Sequence, residues 1–116
     1  MDFVVQQLNG VAIATILVDD LDAGNAGDFR RDIAPVLDAN PRLVLNLSRL
    51  RFVDSSGLGA FISCLRKLNA VGGDLKLCGM SKPVRAVFEL VRMHRVFDIF
   101  DTPEQAVRAF ELAVKK

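Results

Sequence analysis

Short apolar runs broken by turn residues open the chain. Residues 2–8 and 11–18 read as two strands. Asn9-Gly10 between them suits a two-residue hairpin turn, whose central positions both need positive φ. The period then lengthens. Phe29, Ile33 and Val36/Leu37 share one face of a helix over about 23–38, with Asp22 placed as its N-cap. Pro35 lies inside that helix and should kink it or move its end, because it lacks an N–H donor and crowds the preceding turn. Asn40-Pro41 marks a turn. Residues 42–47 are nearly all apolar, as in a central strand buried on both faces. Asn46 interrupts that run and needs a partner if buried.

From about Ser56 onward, Leu58, Phe61, Ile62, Leu65 and Leu68 repeat at helical spacing, and Gly72-Gly73 supplies a left-handed cap. Asp74–Cys78 alternates and reads as a strand. Ser81 caps a third helix with Val84, Val87, Phe88 and Val91 on one side. Phe97–Phe100 reads as a short edge strand. Thr102-Pro103 starts a last helix, with Thr as N-cap and Pro at the first helical position. Its stripe is Ala106/Val107, Phe110 and Ala113/Val114.

The order ββαβαβα(β)α implies an α/β domain over 1–116, with a mixed sheet of four to five strands and helices packed on it. The strand-to-helix turns gather at one end, where ligands and partners bind in such folds. Composition agrees: 116 residues, 51% hydrophobic and 25% charged, fit one domain with a core that needs neither disulfide nor metal. Net charge is +1, without the basic excess of a nucleic-acid binder. The longest apolar run, Val11–Val18, is far below the roughly 18 residues of a membrane span. The sequence Met1-Asp2-Phe3-Val4-Val5 has no leader pattern, and a cytoplasmic location is the expectation.

The most informative stretch is Phe52-Val53-Asp54-Ser55-Ser56-Gly57-Leu58-Gly59. It places two hydroxyls and two glycines where the apolar strand Leu43–Leu47 hands over to the second helix. The first N–H groups of a helix lack intrahelical partners and sit at the positive end of its dipole. Such a place suits a serine N-cap, and it also suits an anion such as phosphate. Ser55 is therefore either a helix cap or a modifiable group. Gly57 and Gly59 allow either close approach of a partner or close packing of helix on sheet. A nucleotide loop is disfavoured, since Ile62 stands where a third glycine would fall.

Other chemistries are weak. Asp22 and Asp54 could pair on Mg²⁺, but a helix cap and a loop charge are the simpler reading. His94 lies among Arg92 and Arg95 with no nucleophile or carboxylate at a recognised spacing. Cys64 and Cys78 read as small buried hydrophobes. No Gly-x-Ser-x-Gly occurs. No catalytic residue, cofactor or metal is expected.

The segment 52–59 resembles the signature of bacterial anti-sigma factor antagonists of the STAS domain family. Leu43–Leu47, Leu21-Asp22-Ala23, Gly72-Gly73-Asp74-Leu75-Lys76-Leu77 and Ser81-Lys82-Pro83-Val84-Arg85 with Phe88 extend the likeness over essentially the whole chain. The resemblance implies an anti-anti-sigma factor, a phosphoprotein acting by partner switching in transcription regulation. It implies binding to an anti-sigma factor that is also a serine kinase, phosphorylation at Ser55 (Ser56 as alternative), and a serine phosphatase that reverses the mark. Asp22, Asn25, Asp54, Ser55, Ser56, Gly57 and Leu58 are the expected partner contacts, although Leu58 also reads as core. Two departures bear on partner choice: Asp19-Asp20 stands where the family often has Gly-Glu, and Arg92-Met93-His94-Arg95 where it often has a Ser-Gly-Leu turn. STAS-type accessory subunits of lipid- or anion-transport assemblies are the alternative, and an enzyme on a flavodoxin-like sheet the third. Neither direct membrane insertion nor nucleic-acid binding is expected.

Overall fold

Asn9 and Gly10 hold φ of 53° and 78°, as a primed hairpin turn demands. They join β1 (Phe3–Leu8) to β2 (Val11–Ile16) in unbroken antiparallel register from Phe3↔Ile16 to Leu8↔Val11. The computed structural model describes residues 2–114, with side chains as far as 112. The remaining elements are β3 (Asp20–Leu21), α1 (Ala26–Ala39), β4 (Arg42–Asn46), β5 (Phe52–Val53), α2 (Ser55–Ala70), β6 (Asp74–Cys78), α3 (Lys82–Leu90), a 3-10 turn at Met93–Arg95, β7 (Asp98–Phe100) and α4 (Pro103–Val114). The main sheet has the order β1-β2-β4-β6-β7, parallel except for β1 against β2. The pattern predicts a mixed α/β sheet of four to five strands, and the main sheet has five. Two elements escape the pattern: β3 and β5 pair in parallel as a separate two-residue ribbon.

Alternation along the strands sends side chains to two cores. Helices α1, α2 and α3 bury Phe29, Ile33, Phe61, Leu68, Val84 and Phe88 against Leu43, Leu45, Leu75 and Leu77. A ladder of rings crosses this layer, Phe3–Phe29–Phe61–Phe88–Phe97, with centroids 6.5, 5.9, 6.2 and 6.0 Å apart. On the other face α4 lays Ala106, Val107 and Phe110 over Val11, Ile13, Val44 and Cys78. Ala113 and Val114, read as part of the same stripe, have side chains outside the described residues.

Several expected details shift. Helix α1 runs through Pro35 to Ala39 with the proline on its exposed side, so the proline does not end it. Helix α3 stops at Leu90, and Val91 is 46% exposed instead of packed. Ser81 stands at the N-cap of α3 but makes no cap bond. Its Oγ donates instead to the Leu50 carbonyl at 3.0 Å. Asn46 finds its partners in Thr15 Oγ1 (3.4 Å) and the Ser48 N–H (3.2 Å). Lys76, an outward position by alternation, is buried beneath α4. Its Nζ donates to Asp98 (2.7 Å) and Asp74 (3.1 Å) and lies 4.7 Å from the Phe110 ring centre. Burial pulls that ammonium's pKa down, but the two carboxylates outweigh it and the net shift is upward.

Candidate functional site

The β3–β5 ribbon sets the site. Asp20 pairs with Phe52 and Leu21 with Val53, and Leu21 and Val53 are buried. The N–H groups of Arg51 and Phe52 donate to the Asp19 carbonyl, and that of Asp54 donates to Leu21. The turn after β3 and the start of α2 are therefore held side by side, as expected for turns at one end of the sheet. What separates β4 from α2 is the loop 47–51 and β5; the serines do not follow β4 directly.

Asp54, and no serine, is the N-cap of α2. Its Oδ1 accepts from the Gly57 N–H at 3.0 Å and its Oδ2 from the Ala23 N–H at 3.1 Å. One carboxylate thus closes the first turn of the helix and fastens it to the neighbouring loop. Negative charge at this end is also favoured by the helix dipole. The cap reading of Ser55 is corrected: the helix begins one residue earlier than the pattern suggests, and Ser55 is its first residue. Removing the cap has an expected consequence. Asp54→Ala lowers unfolding free energy by about 1–2 kcal/mol in a urea titration, the usual range for a lost cap. Asp54→Asn costs less, because its remaining oxygen still accepts from Gly57.

Asp22 is not the cap of α1, which begins at Ala26. Its Oδ1 accepts from the Gly24 N–H at 2.9 Å, forming an Asx turn. Asn25 occupies the cap position without capping. Its Oδ1 accepts from the Asp22 N–H at 2.9 Å and its Nδ2 donates to the Asp20 carbonyl at 2.8 Å. Asp22 and Asn25 therefore brace the turn that Asp54 grips from the other side.

Ser55 is exposed, and its hydroxyl makes no hydrogen bond among the described residues. The N–H groups of Ser55 and Ser56 precede the first intrahelical bond, Leu58 N–H to Asp54 carbonyl, and have no acceptor among the described residues. They are unsatisfied donors at the positive end of a 16-residue helix. Ser56 is half-buried. Gly57 and Leu58 face inward. A Cβ on Gly57 would lie 2.5 Å from the Leu21 carbonyl oxygen and 2.6 Å from Val53 Cγ2, so this glycine lets α2 sit on β3 and β5. Leu58 is 7% exposed and belongs to the core. Leu58 thus takes the core place that its spacing also suggests, and Gly57 has only backbone to offer a partner. A Cβ on Gly59 would meet only the end of the Arg30 side chain, at 3.1 Å.

Phe52 was not singled out by the sequence. It is 51% exposed three positions before Ser55, because Val53 takes the inward place in a two-residue strand. Arg49 and Arg51 are exposed beside it. The other candidate groups lie elsewhere: His94 is exposed in the 3-10 turn, and burial pushes the thiols of Cys64 and Cys78 up to about 11 and about 12.

Comparison with known proteins gives the class of this arrangement. The family model of the STAS domain matches residues 2–106, and the chain belongs to the STAS domain family. BtrV of Bordetella bronchiseptica, which carries the name of an anti-sigma factor antagonist, is 30% identical over 100% of both chains. Among solved structures, the anti-sigma factor antagonist SpoIIAA in its unphosphorylated form is 26% identical, covering 95% of this chain and 96% of that one, with a TM-score of 0.77. SpoIIAA of Bacillus in the phosphorylated form superposes with a TM-score of 0.69 at 26% identity, covering 94% and 99%. Murine Slc26a9, an anion transporter, contains a similar fold: 23% identity, 92% of this chain, 18% of that chain, TM-score 0.73. That last likeness concerns the fold alone.

Proposed function

We propose that this chain is an anti-anti-sigma factor: a binding module, with no catalytic step of its own, that sequesters an anti-sigma serine kinase while Ser55 is unphosphorylated. The observation that carries this reading is the state of Ser55. Ser55 is exposed at the first position of α2, and its hydroxyl is bonded to none of the described residues. A phosphoryl group can be added there without breaking any hydrogen bond of the fold. The family and the names of its relatives support the partner class, and the two forms of SpoIIAA support a domain that keeps its fold on phosphorylation.

The electrostatics favour a switch. Phosphorylation adds about −1.5 to −2 charges near neutral pH. The free N–H groups of Ser55 and Ser56 and the helix dipole stabilise that charge on the folded domain. A partner surface fitted to a neutral hydroxyl must instead strip water from a dianion beside the Asp54 carboxylate. The rim of that surface is Asp22, Asn25, Ser55 and Ser56, with Phe52 as an exposed apolar anchor. A serine phosphatase resets the module, and the setting is the cytoplasm, where sigma factors act.

Incubation with the anti-sigma kinase of the same cell and ATP tests this reading. Intact-mass spectrometry should show one added phosphoryl group, mapped to Ser55 by fragmentation, as the complex dissociates. A modification elsewhere, or a complex that persists after full phosphorylation of Ser55, contradicts it.

A further inference from the structure

The main sheet ends differently at its two edges. Strand β7 is three residues long, and its Asp98 is bound to Lys76 at 2.7 Å, with Asp101 just beyond the strand. A short edge with charge at its rim discourages pairing with another chain. Strand β1 has neither device. Phe3–Leu8 is six residues long and contains no charged residue and no proline. It runs against β2 with no bulge, and among the described residues no strand lies beyond it. Val4, Val5 and Leu8 are 48%, 39% and 36% exposed.

The register says which backbone groups face outward. The Leu17 N–H donates to the Asp2 carbonyl at 3.0 Å, and the two-residue turn closes Leu8 on Val11. Bonded and non-bonded pairs alternate along an antiparallel ladder. Asp2, Val4, Gln6 and Leu8 therefore turn their backbone groups toward β2. Phe3, Val5 and Gln7 turn theirs away, presenting an evenly spaced row of N–H donors and C=O acceptors at the sheet edge.

We propose that this edge pairs with the β1 of a second copy of the chain, antiparallel, about a two-fold axis at Val5. A two-fold perpendicular to the sheet keeps each face on its own side, and this register uses all three outward residues. Val5 meets Val5 of the other copy, Phe3 meets Gln7, Val4 meets Gln6 and Asp2 meets Leu8. No like charges oppose one another, which is the electrostatic condition for self-pairing. The product is a continuous ten-stranded sheet in which exposed β1 side chains gain neighbours. A contact of one strand is smaller than the usual stable interface of about 800 Å² per partner, so the dimer is reversible. No residue of the Ser55 site lies on β1, and the inference does not rest on the switch.

Sedimentation of the full chain from about 5 to about 500 micromolar tests it, a range that brackets weak association. The weight-average mass should climb from 12.7 kDa toward twice that value. Val5→Lys, at a position exposed enough to accept the charge, should hold it at the monomer value. Under mild oxidation Val5→Cys should become a covalent dimer, with Cys64 and Cys78 buried and out of competition. Val4→Cys should not link, because its own counterpart lies beyond the roughly 7 Å Cα limit for a disulfide. A mass constant at 12.7 kDa across the range overturns the proposal. So does a dimer indifferent to Val5→Lys, or linking through Val4→Cys as fast as through Val5→Cys.

Discussion

A Ser55→Asp chain should bind its anti-sigma factor at least about 100-fold more weakly than the unsubstituted chain by isothermal titration, a difference near 3 kcal/mol. On the proposed reading, Ser55→Ala should bind as tightly as the unsubstituted chain and should not respond to a serine kinase. The asymmetry follows from what surrounds the side chain. Alanine removes a hydroxyl that bonds to nothing among the described residues. Aspartate adds a charge that the complex must desolvate next to Asp54, and buried unpaired charge at an interface is among the costliest changes available. The fold itself should not suffer. A carboxylate in the first turn interacts favourably with the helix dipole by about 0.3–1 kcal/mol. The melting temperature of Ser55→Asp should therefore equal or exceed that of the parent, which separates lost binding from lost structure.

Phe61→Ala should lower the unfolding free energy by about 3–5 kcal/mol in a urea titration, as for a large ring deleted from a packed core. Phe61 is 0% exposed and stands mid-ladder, edge-on to Phe29 and stacked near Phe88. It links α2 to both α1 and α3, so neighbours on two sides lose contact and cannot both close the gap. Leu90→Ala provides the contrast. Leu90 is 83% exposed, and its truncation should change stability by less than about 0.5 kcal/mol.

Much of the local chemistry that needed no distant partner was legible. Asn9-Gly10 gave the hairpin, and Thr102 caps α4 as read, its Oγ1 accepting from the Gln105 N–H at 3.2 Å. Asp74–Cys78 is a strand with the predicted bounds. Long-range pairing hid the rest. Two-residue strands such as β3 and β5 have no periodicity to detect, and they exist because Asp19–Leu21 and Arg51–Asp54 meet across the fold. The cap of α2 was ambiguous because Asp and Ser are both good caps and stand side by side. The carboxylate fits because its second oxygen finds Ala23, a partner 31 residues away. Asp22 misled for a local reason: its turn to Gly24 competes with capping, and the helix starts later. The burial of Lys76 was not legible, because alternation within one strand cannot say that α4 covers that side of the sheet.

The candidate site was readable as a segment but not as a geometry. The residues 52–59 announced themselves, yet the inward seating of Gly57 and Leu58 depends on Leu21 and Val53, and the exposure of Phe52 on a strand too short to see. What remains at the surface is a hydroxyl at a helix start, braced from below by Asp54 and from the side by the Asp22–Asn25 turn.

On the proposed reading, the charge on Ser55 alone sets affinity for the anti-sigma factor. This claim is tested most directly by titrating that protein, under one set of conditions, with the unmodified chain and with the chain phosphorylated at Ser55. The first should bind tightly and the second more weakly by about 100-fold or more, with unchanged far-ultraviolet circular dichroism. Equal affinity of the two forms would contradict it.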